Sequence, residues 1–447
     1  MRFGRQSTPL GPAFATVVTA NLCSSLGDGI ARVAAPLLAA RLTDDPLLVS
    51  GIAAMALLPW LLFAIPAGIL VDHVDRRHAL ALANGVRTAV AGTLLVLVAT
   101  DHLTIWWLYG VIFVYGMFET VYDGAIRAVV PSLVRRVDLH RANSRIEAGE
   151  QVVQNFAAMP LTSALFAVSA TIPLGVNTAV FAVAGGLALA LPAAAAGAHR
   201  TTPRTTQGPW RRQLVEGYRF IVASRMLRTL WLLTTFVGIC ISAALATWVL
   251  FVLDRLAVPE AWFGAFMLSG AVGGVLGAVV VGPARNRLGA GPVMAIANLT
   301  AAAAVVAVGA FPTIVVAALG TAVSSGAVTV WNVLVMSLRQ AAIPDELLGR
   351  VHGTWRTLLW GSMPLGSVIG GALARIDLTA PLLIGGALAT AAAVVWFRFI
   401  AALPNPEDLP DAGGAPDLPA QPGVLAQPDV LAQPDVPAQP SRSAERP

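Results

Sequence analysis

Apolar stretches recur twelve times along this 447-residue chain, parted by short polar segments. Their approximate limits are 13–40, 47–71, 79–100, 104–130, 146–169, 172–196, 229–253, 261–283, 293–310, 313–338, 351–374 and 380–402. A helix rises about 1.5 Å per residue, so crossing a hydrocarbon layer of roughly 30 Å takes about 20 apolar residues. Only helices and closed barrels satisfy the backbone there. The pattern therefore predicts an all-α polytopic membrane protein with twelve transmembrane helices. The first run is too long for a cleavable signal peptide and reads as a retained span. The longest polar interruption, 197–228, divides the chain into an N-terminal six-helix bundle over 1–196 and a second over 229–402. Within that linker Leu214, Tyr218 and Ile221 stand at helical spacing opposite Arg212, Arg219 and Arg225. That spacing predicts an amphipathic helix on the inner leaflet, and a solvated linker helix fits it equally. Residues 403–447 turn to Pro, Ala, Asp and Gln, with Ala-Gln-Pro at 420, 426, 432 and 438, and read as a disordered cytoplasmic tail.

Composition narrows the class. The chain is 56% hydrophobic and 12% charged, with a mean hydropathy of +0.73, whereas soluble domains are about 25% charged. Every basic side chain is arginine, and of the 29, 22 fall on the side of the termini and three (Arg41, Arg255, Arg375) on the other. Cytoplasmic loops collect positive charge, so both termini are expected inside a cytoplasmic membrane. The net charge of +5 is spread over short loops, which argues against a nucleic-acid partner. Cys23 and Cys240 sit in apolar runs, not in a disulfide or metal framework. No phosphate-binding loop, nucleophile elbow or Cys/His array is present, so no cofactor, metal or enzymatic activity is expected.

Charges that persist inside apolar runs carry the candidate chemistry. An ionised group near the bilayer centre costs at least about 2.5 to 3.5 kcal/mol, so it should face a cavity or a partner. Asp28 and Arg32 stand one turn apart on span one and are placed to pair with each other. Glu119, Asp123 and Arg127 repeat that spacing on span four, forming a polar seam along one side. In one reading Asp28, Glu119 or Asp123 takes and releases a coupling proton, Asp123 first because it lies deeper than Arg127 yet within its reach. In the other, the arginines neutralise these acids as static glue. Gln151, Gln154 and Asn155 on span five, with Trp248, Trp331, Asn332 and Arg356 on spans seven, ten and eleven, are candidate contacts for a bulky, partly apolar substrate. Interhelical packing and interfacial anchoring are the competing roles. Arg87 and Arg356 would either attract an anionic substrate or snorkel, Arg356 reading more readily as snorkelling. Glycine pairs at 270/274, 273/277 and 366/370 let helices approach closely and are expected where the halves slide.

After span two the chain reads Gly68-Ile-Leu-Val-Asp72-His-Val-Asp75-Arg76-Arg77, and a decayed copy follows span eight, where Gly282, Asn286 and Gly289 keep the spacing but Ala290 and Gly291 replace the arginines. Twelve spans in two halves with this loop and its copy resemble the major facilitator superfamily. Leu26-Gly27-Asp28-Gly29, Ala128-Val-Val-Pro131-Ser-Leu-Val, Arg141-Ala-Asn143 and Pro344-Asp-Glu-Leu-Leu-Gly-Arg350 are similar to its branch of enterobactin exporters and macrolide efflux pumps. Span five departs from the glycine-rich pattern of proton-driven antiporters, reading Phe156-Ala-Ala-Met-Pro160-Leu-Thr162-Ser163, while span eleven keeps it better, with Gly361, Pro364, Gly366, Gly370 and Gly371. The resemblance implies two six-helix bundles and an inner latch made by Asp72, Arg76 and Arg77; the helix dipole offers Asp72 a partner in the N-terminus of span eleven, just after Gly349, and a plain positive-inside loop is the alternative.

The expected function is secondary active transport: proton-coupled export of a small hydrophobic or amphiphilic compound by rocking of the halves around a midplane site. Its partners would be that small molecule, protons and the lipid bilayer, the chain acting as a monomer. An importer or lipid flippase of the same fold is the alternative within transport. A receptor or assembly subunit that lost transport is the alternative outside it, favoured by the decayed second loop and the missing span-five glycines.

Overall fold

The structure, a computed structural model, describes residues 10–192, 195 and 210–409. Span one is α1 (Pro12–Leu42), followed by α2 (Pro46–His73), α3 (Arg76–Ala99) and α4 (Ile105–Leu133). Span five is composite: α5 (Leu139–Gln151), a π-helical stretch Val152–Ala158 and α6 (Met159–Val168). Span six is α7 (Thr171–Leu189), and α8 (Trp210–Ala223) precedes the second half. There α9 (Arg225–Leu245), α10 (Trp248–Leu250) and a second π-helical stretch, Phe251–Arg255, together make span seven. The remaining spans are α11 (Glu260–Leu288), α12 (Ala290–Ala310), α13 (Ile314–Ala342), α14 (Asp345–Ala374) and α15 (Ala380–Ala401). Among the described residues eleven helices are each long and apolar enough to cross a membrane. The twelfth crossing is the composite span five. Pro160 explains its wide turn: it has no N–H for the Phe156 carbonyl and its ring excludes that oxygen, and a π turn just before it absorbs the mismatch.

Short polar residues start the helices. The Asp45 carboxylate accepts from the Leu47 N–H with Pro46 in the first turn, and Thr104, Ser224 and Thr313 cap α4, α9 and α13 in the same way. Twelve crossings leave Leu10 and Leu409 at one end of the bundle, the terminal end.

The halves meet through α2 on α14 and α6 on α11. At the end away from the termini one apolar cluster crosses between them, joining Leu37, Ile52, Leu108 and Phe166 to Leu250, Phe251 and Phe263. Two ion pairs seal its rim, Arg41 with Glu260 and Asp45 with Arg375, each at 2.5 Å. At the terminal end each half keeps its own core, around Leu80, Tyr122 and Val129 in the first and Leu227, Leu334 and Trp355 in the second. Close backbone approach between halves occurs at Gly264, where any side chain would strike the Met159 carbonyl, and at Gly371, which abuts Ser50. The expectation for the glycine pairs is thereby corrected. Gly273 and Gly277 press on Ala322 and Gly326 of α13, and Gly366 and Gly370 on Ile239 and Ala243 of α9, all inside the second half.

The helix α8 is not free on a surface. Its Glu216 joins Arg212 at 2.9 Å and Arg350 of α14 at 2.7 Å, and Gly217 lies against the Arg350 carbonyl. Residues 403–409, read from sequence as the start of the tail, are placed. Leu403 is buried, Asn405 Oδ1 accepts from the Ala290 N–H at 2.8 Å, and Glu407 pairs with Arg285 at 2.5 Å. The Ala-Gln-Pro repeat and linker residues 197–209 lie outside the described residues.

Candidate functional site

Beneath the closed end a cavity of about 490 Å³ opens between the halves. Its wall is mostly apolar: Ala53, Leu57, Met159, Phe263 and Met267, with the rings of Trp60, Trp248 and Trp360. Trp60 of α2 and Trp360 of α14 meet across the interface with ring centroids 5.9 Å apart. The break between α9 and α10 falls immediately before Trp248, whose ring stacks on Phe251 at 5.4 Å.

The polar part of the wall belongs to the first half. Asp28, Arg32, Tyr115, Glu119 and Asn177 line it. Asp28 does not pair with Arg32, as the one-turn spacing had suggested. It is in contact with Arg87 of α3 and accepts from the Tyr115 hydroxyl at 2.6 Å. Arg87 is wholly buried, which overturns both roles considered for it, free anion attractor and snorkelling cation. Its guanidinium also donates to Ser24 Oγ at 2.9 Å and to Tyr115 at 3.0 Å, and lies 4.3 Å from the Phe181 ring centroid. The pairing across helices wins because Arg87 sits at the middle of α3, out of reach of either surface, and a buried guanidinium needs a carboxylate. The network continues toward the terminal end. Ser24 donates to Asn84, Tyr122 donates to Asn21, and Asn21 donates to Glu150 at 2.7 Å.

Arg32, freed from Asp28, approaches Glu119 at 3.9 Å, a loose pair in which the arginine side chain is 53% exposed and the acid 22%. One turn toward the terminal end Asp123 is held by Arg127 through contacts of 2.9 to 3.2 Å. Asp123 is not part of the cavity wall described above. The seam on α4 thus holds one loosely and one firmly paired acid.

The other sequence candidates scatter. Asn155 donates to Gln151 at 2.6 Å on span five, and the Gln154 backbone packs on Gly29 of α1. Trp331 is buried in the core of the second half, and Asn332 is exposed, so neither joins Trp248 in the cavity wall. Arg356 is half-buried. Its guanidinium lies 4.7 Å from the Trp60 ring centroid and 5.4 Å from that of Trp360.

In the loop after span two, Asp75 caps α3 by accepting from the Arg77 N–H at 2.8 Å and pairs with the Arg77 guanidinium at 2.8 Å. Those bonds hold its carboxyl down at about 2, the Arg77 side chain contributing most. Arg76 donates to the Ala128 carbonyl at 2.8 Å and Arg77 to that of Leu191 at 3.3 Å, tying α3 to the ends of α4 and α7. These bonds stay inside the first half. Gly68, Asp72 and Gly349 are described only as helical backbone, in α2 and α14, so the expected latch between them lies outside what is described.

Sequence reasoning missed Trp60, Tyr115 and Asn177. Tyr115 had a signal: it stands four residues before Glu119 and so falls on the same face. Trp60, beside Pro59 in an apolar helix, had none.

The family model described as transmembrane secretion effector matches residues 7–418. Curated relatives include the enterobactin exporter EntS of Escherichia coli O1:K1, 24% identical over 352 residues, 77% of this chain and 81% of the relative. The enterobactin exporter EntS of Shigella boydii serotype 4 matches over the same shares at 24% identity. Solved structures with this fold include the nucleoside transporter NupG, with a TM-score of 0.71 at 12% identity over 88% of this chain and 100% of that one. A bacterial homologue of the iron transporter ferroportin follows, with a TM-score of 0.67 at 16% identity over 88% of this chain and 99% of that one.

Proposed function

The chain belongs to the transmembrane secretion effector family and has the fold of the major facilitator superfamily, and on that premise we propose that it exports a small amphiphilic compound in exchange for protons. As a secondary transporter it works by alternating access, the halves exposing one site to each side in turn. With 22 arginines at the terminal end against three at the other, that end is cytoplasmic and the described conformer faces inward. Export direction draws further support from the curated relatives, which are named as exporters.

One observation carries the coupling: the cavity wall holds an acid, Glu119, whose basic neighbour stands 3.9 Å away. A proton can replace so loose a partner. Protonating Glu119 frees Arg32, and the two charges are then presented separately to the cavity. Asp28 is the poorer carrier, since losing its charge would strand the buried Arg87 cation. Asp123 is bound by its own arginine, which leaves it a supporting place in the seam.

The test is flux. The full chain, reconstituted in liposomes under an imposed pH gradient, is offered cationic, neutral and anionic fluorescent amphiphiles. Movement of at least one of them against its gradient, abolished by a protonophore, is the expected result. No gradient-dependent movement of any, with the protein folded, would favour the non-transporting receptor.

A further inference from the structure

Charge bookkeeping around the cavity leaves one group over. Asp28 is matched by Arg87, Glu119 by Arg32 and Asp123 by Arg127. Arg356 of α14 has no carboxylate partner and no hydrogen bond among the described residues. Instead it lies over Trp60 and Trp360, both of which line the cavity. Asp123 and Arg127 of the opposite half are within its electrostatic range, but as a pair they cancel most of each other's field. The remaining neighbour of note is His352, one turn toward the terminal end, whose Nδ1 is engaged with Arg339 Nη2 at 3.0 Å. Beside two of the cavity's indoles, one from each half, there is therefore one uncompensated positive charge, on a side chain that stands behind the lining rather than in it.

We propose that Arg356, Trp60 and Trp360 form a recognition site for the anionic group of an aromatic substrate, so that the exported compound is an aromatic carboxylate or phenolate rather than a cationic amphiphile. A guanidinium spread over an indole keeps its N–H edge free, and that planar edge fits a carboxylate with two parallel hydrogen bonds. The half-buried setting raises the worth of such a bond over its value in water. The indoles serve twice: they hold the cation through their ring faces and offer apolar surface to an aromatic body. Because Trp60 belongs to the first half and Arg356 to the second, a ligand in this site touches both bodies that move. That geometry lets its binding bias their closure.

The proposal deepens the transport reading by naming its substrate class, and it is tested at equilibrium so that the two fail separately. The full-length protein in detergent is titrated calorimetrically with 1-naphthoate, 1-naphthamide and 1-naphthylmethylammonium, which share a ring system and differ in charge. Wild type is expected to bind the carboxylate at least tenfold more tightly than the amide, and the ammonium most weakly. Arg356→Gln should bring the carboxylate and amide within twofold of each other, Arg356→Lys should keep part of the preference, and Trp60→Leu should weaken all three ligands. Equal binding of carboxylate and amide by wild type, or an unchanged ratio in Arg356→Gln, would overturn the proposal. Should Arg356→Gln fail to fold, the wild-type ratio and Arg356→Lys still decide. A retained ratio without driven flux would count against export alone.

Discussion

Asp28 and Arg87, 59 positions apart in sequence, form an ion pair between α1 and α3 in which the arginine is wholly buried and the acid side chain 10% exposed. Tyr115, Ser24 and Phe181 complete the surroundings of the guanidinium, although its Nε has no hydrogen-bond partner. A pair of this kind is weak evidence of net stability, but removing one member strands the other.

Asp28→Asn should accordingly destabilise the protein by about 3 to 5 kcal/mol, the usual cost of an uncompensated buried charge. The double variant Asp28→Asn/Arg87→Gln should recover part of that loss. Thermal unfolding in detergent measures both. A double variant no more stable than the single one would mean that the pair is not the source of the effect.

At Glu119 the expected phenotype is coupling without collapse. Glu119→Gln should fold and bind substrate within a few-fold of wild type, yet lose uptake driven by a pH gradient. Asp123→Asn should lower the driven rate less, because its arginine already occupies it. Parallel proteoliposome assays rank the two; the reverse order would return the proton site to Asp123.

The closed end predicts a salt- and pH-dependent rim. Arg375 donates to Asp45 and holds its carboxyl below the ordinary carboxylate range. A depressed pKa means that the pair's contribution is complete above the unpaired value near 3.9 and fades as pH falls through the lowered one. Closure should therefore be indifferent to pH between about 5.5 and 8 and weaken only in stronger acid. Arg375→Glu should open this end and Asp45→Arg/Arg375→Asp should close it again, read by hydrogen exchange at the start of α2.

For Asp75 the same sign applies, its stabilising contribution being full above about 3.9 and lost as pH drops toward about 2. Asp75→Ala removes a helix cap and should cost about 1 kcal/mol at neutral pH. Asp75→Asn keeps a capping oxygen but loses the Arg77 ion pair, and should cost less. Thermal unfolding at pH 7 orders the three proteins.

The loop after span eight should not accept the first loop's residues. Gly289 stands at φ 84° and a side chain at Gly291 would strike the carbonyls of Ala401 and Leu403. Gly289→Asp should cost about 1 to 3 kcal/mol, because φ 84° with ψ 164° is a backbone region essentially confined to glycine, and Gly291→Arg should be worse. Asn405→Ala, which uncaps α12, should cost about 1 kcal/mol, while the exposed Asn286 tolerates alanine. Melting temperatures of the four variants check the order.

These cases divide what the chain makes legible from what it does not. Helical periodicity and the 20-residue requirement of a bilayer are local properties, so the twelve spans, their six-plus-six split and the shared face of Glu119, Asp123 and Arg127 follow from the sequence itself. The asymmetry of the two loops is also written there, as Asp75 against Gly289. Its reason is not: the segment around Asn405 occupies the second loop from more than a hundred residues away, supplying the cap that Asp75 supplies in the first. Charge pairing is of the same kind. A one-turn spacing offers Asp28 a partner in Arg32, but a carboxylate in low dielectric takes the cation that is buried with it, and only the packing of α1 on α3 brings Arg87 there. Likewise the meeting of Trp60 with Trp360 and Arg356 exists only where α2 crosses α14. The sequence by itself determined which helices form and which residues share a face of each; the tertiary structure decided which faces meet, because contact across helices depends on interaxial packing that no local periodicity encodes.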